Sequence, residues 1–324
     1  MKSHAESLAR CTHLSLQLIE SPRFSLPVPM PALRNYESSF EDSRIPEFRS
    51  SLQRVVLSNI SAQNFPWVPL NNASTLTHLV IILPRADSHE GLTTFLSECH
   101  ALKFFSLTLR GFIGFRAVSE VRLPSLESLH LGGYAPERFC AVLKAPQLKR
   151  LRVDTELPSG DLSPSLISFP FLQHLEAPLT PFTSDTTFLN LVPRLSILRL
   201  TRVSEIDLRR FLSILDAMTE YATTWSLNQP KDRSWLHLRS LEISLQLQSD
   251  VWTGLQTGIL LAIKSMNSIL GLATGGEPLE THVAIRIRQP DHSWMIPSRE
   301  TLSQNDVLIY GPLLERECWK VWAE

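Results

Sequence analysis

A short hydrophobic phrase recurs along this chain at nearly constant spacing. It has the form L-x-x-L-x-L, in which a large apolar residue fills the first, fourth and sixth positions. The clearest copies are LESLHL at 126–131, LKRLRV at 148–153, LQHLEA at 172–177, LSILRL at 195–200 and LRSLEI at 238–243. A phrase that returns at a fixed period is typical of solenoids, whose stacked units share one continuous core. The pattern therefore predicts a repeat architecture.

Weaker copies extend the array toward residue 1. LKFFSL at 102–107, LTHLVI at 76–81 and LQRVVL at 52–57 fit the phrase, while LRNY at 33–36 and CTHLSL at 11–16 fit it in part. The first positions are 11, 33, 52, 76, 102, 126, 148, 172, 195 and 238, so the gaps are 22, 19, 24, 26, 24, 22, 24, 23 and 43 residues. Eight of these nine gaps lie at or beside the period of about 20–29 residues that leucine-rich repeats show. We interpret the gap of 43 as a repeat with an enlarged outer helix and loop.

The alternation within each phrase indicates a strand. Its last two apolar positions are two residues apart, so their side chains enter the same side of a strand. Several segments between the phrases have helical signals: one follows Ser88, one opens at Pro136, one begins at Asp185, and one covers 204–218. The sequence therefore predicts an α/β fold, a leucine-rich-repeat solenoid (horseshoe) with a parallel inner sheet and irregular outer helices.

The pattern changes after residue 250. Residues 251–272 place large apolar side chains at helical spacing and carry Gln256, Lys264 and Asn267 between them, which indicates an amphipathic helix rather than a membrane span. Further on, apolar and polar residues alternate over 283–288 as in a half-buried strand. We divide the chain into an irregular leucine-rich-repeat array, 1–250, and a C-terminal helix and capping region, 251–324.

Composition narrows the function classes. The 324 residues include 31 basic and 32 acidic side chains and a formal net charge of −1, so a general nucleic-acid-binding surface is not expected. The N-terminus has no apolar run of signal-peptide length, and the four cysteines are widely spaced, which favours free thiols in a reducing compartment. We expect a cytoplasmic or nuclear protein without membrane contact.

Motifs of enzyme chemistry are missing from the sequence. It has no nucleophile-elbow, zinc-protease, phosphate-loop or dinucleotide-binding pattern. His78, His130 and His174 occupy similar places in their repeats, but other repeats separate them, so we interpret them as surface histidines rather than as metal ligands. The prediction is a non-catalytic protein with no catalytic residues, no cofactor and no metal site.

The strand positions that alternate with the leucines form the predicted binding surface. They are apolar in the earlier repeats and richer in arginine in the middle of the array. Aromatic residues and arginine are enriched at interaction hot spots, which favours partner binding on this inner face. The alternative is that the face is covered or that its arginines are simply solvated. The candidate partner-binding residues are Val80, Phe104, His130, Arg150, Arg152, His174 and Arg199.

Four proline-introduced phrases resemble the leucine-rich repeats of fungal F-box proteins, especially those of mushroom families: residues 123–131, 145–153, 169–175 and 192–200. The resemblance covers about residues 30–250. It implies that the horseshoe holds a protein substrate, while an F-box binds the Skp-type adaptor of a cullin ubiquitin ligase.

This chain departs from the family in having no recognisable F-box, because a repeat-like phrase already begins at Cys11. A Skp-type adaptor is therefore expected only if an F-box is supplied elsewhere. Three hypotheses follow: a protein-binding scaffold that resembles the substrate-recognition part of a ubiquitin-ligase receptor, a stand-alone leucine-rich-repeat interaction protein or decaying paralogue with no ligase role, or an enzyme with an unrecognised site.

Overall fold

The computed structural model describes residues 12–16, 32–38, 52–58, 73–83, 90–110, 120–134, 136–157, 168–178, 192, 194–203, 240–248, 280–288 and 294–295. The chain divides into two compact units, Met1–Phe169 and Pro170–Glu324. The division of the chain at residue 250, between the repeat array and the capping region, stays a prediction.

The first unit is built on a parallel sheet. Its strands are β1 (His13–Leu16), β2 (Asn35–Ser38), β3 (Arg54–Ser58), β4 (His78–Leu83), β5 (Phe104–Leu109), β7 (Ser128–Tyr134) and β9 (Arg150–Leu157), which lie side by side in that order. Two short strands, β6 (Val121–Arg122) and β8 (Leu143–Lys144), pair in a separate parallel sheet. The described helices are α1 (Glu90–Ser97) and α2 (Pro136–Val142).

The second unit continues the same strand pattern. Its strands are β10 (His174–Pro178), β11 (Ile197–Val203), β12 (Ser240–Gln248), β13 (Glu280–Arg288) and β14 (Trp294–Met295). The first four pair in parallel, in chain order, and β14 pairs with β13 in the antiparallel direction. Parallel strands in chain order confirm the predicted solenoid.

Each phrase of the sequence gives one strand. The phrases that start at 11, 33, 52, 76, 102, 126, 148, 172, 195 and 238 lead into β1, β2, β3, β4, β5, β7, β9, β10, β11 and β12, and each of these strands begins at the third residue of its phrase. The alternating segment at 283–288 also lies in a strand, β13, which pairs with β12 over nine positions without a register shift. The parallel pairing thus continues beyond residue 250, into the segment assigned to the cap.

A repeated turn explains why prolines introduce the phrases. In the turn at 123–126, the amide of Leu126 donates to the carbonyl of Leu123. In the turn at 145–148, the amide of Leu148 donates to the carbonyl of Ala145. Pro124 and Pro146 occupy the second position of these turns, where a φ angle fixed near −65° is favourable. The turn brings the chain into the sheet at a fixed point of each repeat.

A shared carbonyl then sets the register between neighbouring strands. The Gln53 carbonyl accepts hydrogen bonds from the amides of both Thr77 and His78, at 2.8 and 2.9 Å. The same double acceptance recurs at the carbonyls of Thr12, Arg34, Thr77, Lys103, Glu127 and Gln173. In these seven strand pairs, the later strand therefore begins against the residue that precedes the earlier strand.

The core lies on one side of the sheet. In β3 and β4, buried and half-buried residues alternate, and the phrase positions Val55, Leu57, Leu79 and Ile81 are at most 1% exposed. The rings of Phe105 on β5 and Phe139 on α2 meet beneath the sheet, with centroids 5.8 Å apart. The predicted inward direction of the leucines is correct.

A glycine interrupts the regular ladder at the end of β7. Gly133 has a φ of +88°, and the pairing of β7 with β9 shifts register between Gly133 and Tyr134. A Cβ at this residue would overlap the backbone carbonyl of Leu109 on β5. Only glycine adopts this conformation without strain and fits against the neighbouring strand.

Helices are present at two of the predicted positions, since α1 follows Ser88 and α2 begins at Pro136. The helices predicted from Asp185, over 204–218 and over 251–272 lie outside the described residues. Within the described part of the chain, no helix is long and apolar enough to span a membrane.

Candidate protein-binding face

The strand positions opposite the core form one surface of the first unit, which we call the ladder face. We define it on β3, β4, β5, β7 and β9 by Arg54, Val56, Ser58, His78, Val80, Ile82, Phe104, Ser106, Thr108, Ser128, His130, Gly132, Arg150, Arg152 and Asp154. Because the strands are parallel and in register, equivalent positions of successive repeats lie next to each other, as Val56, Val80, Ser106, His130 and Arg152 do.

One end of the ladder face is apolar. Val56 on β3 pairs in register with Val80 on β4, and Ile82 follows Val80 on the same side of its strand. All three are half-buried, so each offers part of its side chain to solvent. Phe104 on β5 is only 6% exposed, so most of its ring packs within the protein.

His78 lies at this apolar end, near the positive charges of Arg54 and Lys103. Its ring stacks on Phe104 with centroids 5.9 Å apart, and its Nδ1 lies 2.9 Å from the hydroxyl of Thr77. Burial lowers the pKa of His78, and the nearby positive charges of Arg54 and Lys103 lower it further. His78 is therefore neutral at pH 7 and belongs with the uncharged part of the face.

The lowered pKa of His78 makes stability depend on pH. The unfolded chain takes up a proton at this residue near the ordinary pKa of about 6.5, whereas the folded chain does so only at lower pH. Its contribution to stability is therefore complete above pH 6.5 and is lost as the pH falls toward the folded pKa. We expect urea unfolding at pH 7.5 and 5.5 to show a larger loss for wild type than for His78→Gln. Equal losses in the two proteins would contradict this assignment.

The other end of the ladder face is basic. On β9, Arg150 and Arg152 are half-buried and lie two residues apart on the same side of the strand. Arg150 Nε donates to the neutral Ser128 hydroxyl at 2.7 Å. Arg152 contacts Asp154 Oδ2 through both Nε and Nη2, each at 2.7 Å, which holds its guanidinium plane in place.

His130 links the middle of the face to this basic end. Its Nδ1 lies 2.9 Å from Ser106 Oγ, and its Nε2 lies 3.1 Å from Asp154 Oδ2. Burial acts to raise the pKa of Asp154, but the hydrogen bonds and charges of His130 and Arg152 outweigh it and hold the pKa below its ordinary value. Ser106, His130, Asp154 and Arg152 thus form one connected polar network across three strands.

A serine, a histidine and an aspartate in this order also occur in serine hydrolases, where the serine is the nucleophile. Ser106 lies inside β5, which is paired with β4 on one side and β7 on the other. The backbone amides next to Ser106 form the hydrogen bonds of the sheet, whereas an oxyanion hole needs N–H donors that point at the substrate. Asp154 is shared with Arg152. These contacts suit a network that positions Arg152 and His130.

The second unit carries an ion pair at the equivalent strand positions. Glu176 on β10 and Arg199 on β11 are register partners, and Arg199 Nη1 lies 3.3 Å from Glu176 Oε2. Their side chains are only 6% and 14% exposed. Arg199 is also the register partner of Glu242 on β12. His174, at the start of β10, is buried.

The structure groups the predicted partner-binding residues by unit. Val80, Phe104, His130, Arg150 and Arg152 share the ladder face of the first unit, and His174 and Arg199 belong to the second. Phe104 and His174 expose too little surface to dominate a contact. That these residues bind a partner stays a prediction.

Sequence reasoning missed Ser106 and Asp154 as members of the network. The signal was available, because Ser106, His130 and Asp154 are each separated by 24 residues, one repeat length. A search for polar residues at the period of the array would have placed them on adjacent strands.

The described residues hold no cluster of three or more histidine, cysteine, aspartate or glutamate side chains that could bind a metal ion. Cys99 and Cys140 are buried free thiols. Burial, together with the charge of Glu98, raises the pKa of Cys99 to about 12, so this thiol stays protonated.

The fold and the ladder face define a parallel-strand solenoid with a partly apolar and partly basic strand face. No protein-family model matches the chain, and no curated protein matches it either.

Proposed function

We propose that this chain is a non-catalytic protein-binding scaffold of the leucine-rich-repeat type, which holds a protein partner on its inner sheet face. In this proposal the strands line a horseshoe and the return segments, including α1 and α2, cover its outer side. The protein acts in the cytoplasm or nucleus, uses no cofactor, and resembles the substrate-recognition part of an F-box ubiquitin-ligase receptor.

The observation that supports binding is the composition of the ladder face. Val80 and Ile82 are half-buried apolar side chains on the side of the sheet opposite the core. The alternation of buried and half-buried positions along β4 does not require apolar residues on that side. Arg150 and Arg152 lie three strands away on the same face. Apolar contact area beside ordered arginines is the usual composition of a protein-binding hot spot.

The alternative is a stand-alone interaction protein or a decaying paralogue with no ligase role. It shares the fold and differs in its partners: a ligase receptor requires a Skp-type adaptor, and a stand-alone protein does not. The identity of co-purifying proteins therefore separates the two.

Affinity capture of the tagged chain from its own cells, read by mass spectrometry, tests the proposal. We compare wild type with Arg150→Glu/Arg152→Glu and with the control Arg122→Glu/Lys144→Glu, which makes the same charge change on β6 and β8. We expect the first variant to lose its partner about tenfold or more, equivalent to about 1.4 kcal/mol or more, and the control to retain it.

Each outcome has a defined meaning. Skp and cullin subunits among the captured proteins would favour the receptor, and variant-sensitive partners without them would favour the stand-alone protein. Partners that respond equally to both double variants, or to neither, would contradict binding on the ladder face. Circular dichroism of each variant checks that it is folded.

A further inference from the structure

Two positive side chains flank His78 of the ladder face. Arg54 on β3 is the register partner of His78 on β4, and Lys103 directly precedes Phe104, the register partner of His78 on β5. The amide of Lys103 donates to the carbonyl of Thr77 at 2.9 Å, which fixes the backbone of Lys103 beside His78. Because neighbouring strands are about 4.8 Å apart, the Cα atoms of the three residues lie within about 10 Å of one another.

The charges of Arg54 and Lys103 have no counter-charge in the described part of the chain. Among the described residues, no ion pair joins either side chain to an aspartate or a glutamate. Lys103 is exposed and Arg54 is half-buried, so both side chains reach solvent. Both positive charges act on His78, whose pKa they lower in addition to the effect of its burial.

Acidic side chains lie on both sides of this positive cluster. On one side, Glu37 lies on β2, next to β3. On the other side, Glu127 precedes β7 and pairs with Lys149 at 3.2 Å, so these two charges cancel. The positive charge is therefore confined to one place. That distribution fits a single anionic group and not nucleic acid, whose phosphates need a longer track of cations.

The hydrogen bonds of His78 fix the position of its proton. The Thr77 hydroxyl donates to the carbonyl oxygen of Gln53 at 3.0 Å, and a carbonyl oxygen can only accept. The same hydroxyl oxygen lies 2.9 Å from His78 Nδ1, so it accepts a hydrogen bond from Nδ1–H. Neutral His78 therefore has no proton on Nε2, and this nitrogen becomes a donor only when the ring is protonated.

We propose that Arg54, Lys103 and His78 form a binding site for one doubly charged oxyanion, the dianion of a phosphate group. The two cations contact its oxygens, and protonated His78 supplies Nε2–H as a third donor. Because a bound anion favours the charged imidazole, binding takes up a proton at His78, and by linkage a lower pH strengthens binding. This inference does not depend on the proposed function.

A titration of the full chain with sodium sulfate, at constant ionic strength, tests the site. Sulfate stays doubly charged between pH 6 and pH 8, so only the protein changes its protonation. Two-dimensional NMR of the histidine rings follows both binding and the protonation of His78. We expect saturable binding at millimolar sulfate and an affinity that rises about threefold from pH 8.0 to pH 6.0.

Substitutions separate the roles of the three residues. Arg54→Gln and Lys103→Gln are each expected to weaken sulfate binding about fivefold at pH 6.0, because each removes a charged donor. The control is Lys149→Gln, which makes the same charge change at a lysine already paired with Glu127 and should alter the affinity less than twofold. His78→Gln should keep the affinity of wild type at pH 8.0 and lose the rise at pH 6.0. Circular dichroism checks that each variant is folded.

Two phosphate monoesters identify the source of the anionic group. Glycerol 3-phosphate represents a small phosphorylated molecule, and a five-residue peptide with phosphoserine between alanines represents a phosphorylated protein segment. Both carry the same dianion at pH 8.0, so a difference in affinity comes from the group that bears the phosphate. Tighter binding of the peptide would assign the site to a protein ligand, and equal or weaker binding would assign it to a small molecule. Either result supports the site.

Three results would overturn the inference. They are the absence of sulfate-dependent shifts at the His78 ring, an equal loss of affinity in Lys103→Gln and Lys149→Gln, and an affinity of wild type that does not change with pH. None of them alters the expected loss of partners from Arg150→Glu/Arg152→Glu. Failure of the anion site therefore leaves the proposed function standing, and failure of partner capture leaves the anion site standing.

Discussion

Replacement of Gly133 by alanine is expected to destabilise the first unit by about 3 kcal/mol. An alanine at a φ of +88° is itself strained, at a cost of about 1–3 kcal/mol. Its Cβ would also overlap the carbonyl of Leu109, which belongs to the backbone of β5 and cannot rotate away. Urea unfolding followed by circular dichroism measures the loss, and hydrogen exchange at β5, β7 and β9 locates it.

Gly132 provides the matched control, one residue earlier. A Cβ there would lie 3.0 Å from the Thr108 hydroxyl, a side-chain atom that can move. We therefore expect Gly132→Ala to cost less than about 1 kcal/mol. Similar losses in the free energy of unfolding for the two variants would show that the cost at Gly133 does not come from its backbone conformation.

Replacement of Arg199 by methionine is expected to destabilise the second unit by about 3 kcal/mol. The substitution keeps the length of the side chain but removes a cation from Glu176, whose side chain is only 6% exposed. Removal of one partner from a buried ion pair leaves the other charge in a poorly solvated position. The measurement is the free energy of unfolding in urea at pH 7.

Two controls show whether burial of the pair is the cause. The double variant Glu176→Leu/Arg199→Met replaces both charges by apolar groups and should recover most of the loss. Lys149→Met removes the cation from a pair with Glu127 that is 45% and 39% exposed, so it should cost less than about 1 kcal/mol. A double variant as unstable as Arg199→Met would contradict the explanation.

The fold was predictable because the phrase in each repeat predicts one strand. The apolar positions of a phrase determine which side chains enter the core, and a turn precedes the strand, with proline in it at Pro124 and Pro146. Even the weak phrases at Cys11 and Leu33 lead into β1 and β2. The parallel strand β13 was harder to assign to the array, because Thr281 takes the register place of Leu241 and the phrase is lost.

The candidate site was predictable in membership but not in contacts. Alternation alone places Val80, His130, Arg150 and Arg152 on one face. It does not tell that Arg152 is held by Asp154 within its own strand, or that Phe104 is buried although it lies opposite the core, because these depend on side-chain packing. The pairing of Glu176 with Arg199 likewise depends on which residues of β10 and β11 the register places side by side.

The shared carbonyl between neighbouring strands, seen at seven positions, has a consequence for sequence evolution. Because the register is fixed where a strand begins, residues added or lost in the return segments do not change which side chains lie on the ladder face. Gaps from 19 to 26 residues already coexist in one sheet. A single-residue insertion between the turn and the strand would instead exchange the two faces of that strand. Selection can therefore vary the length of the return segments freely, and the composition of the ladder face can change one repeat at a time by substitution.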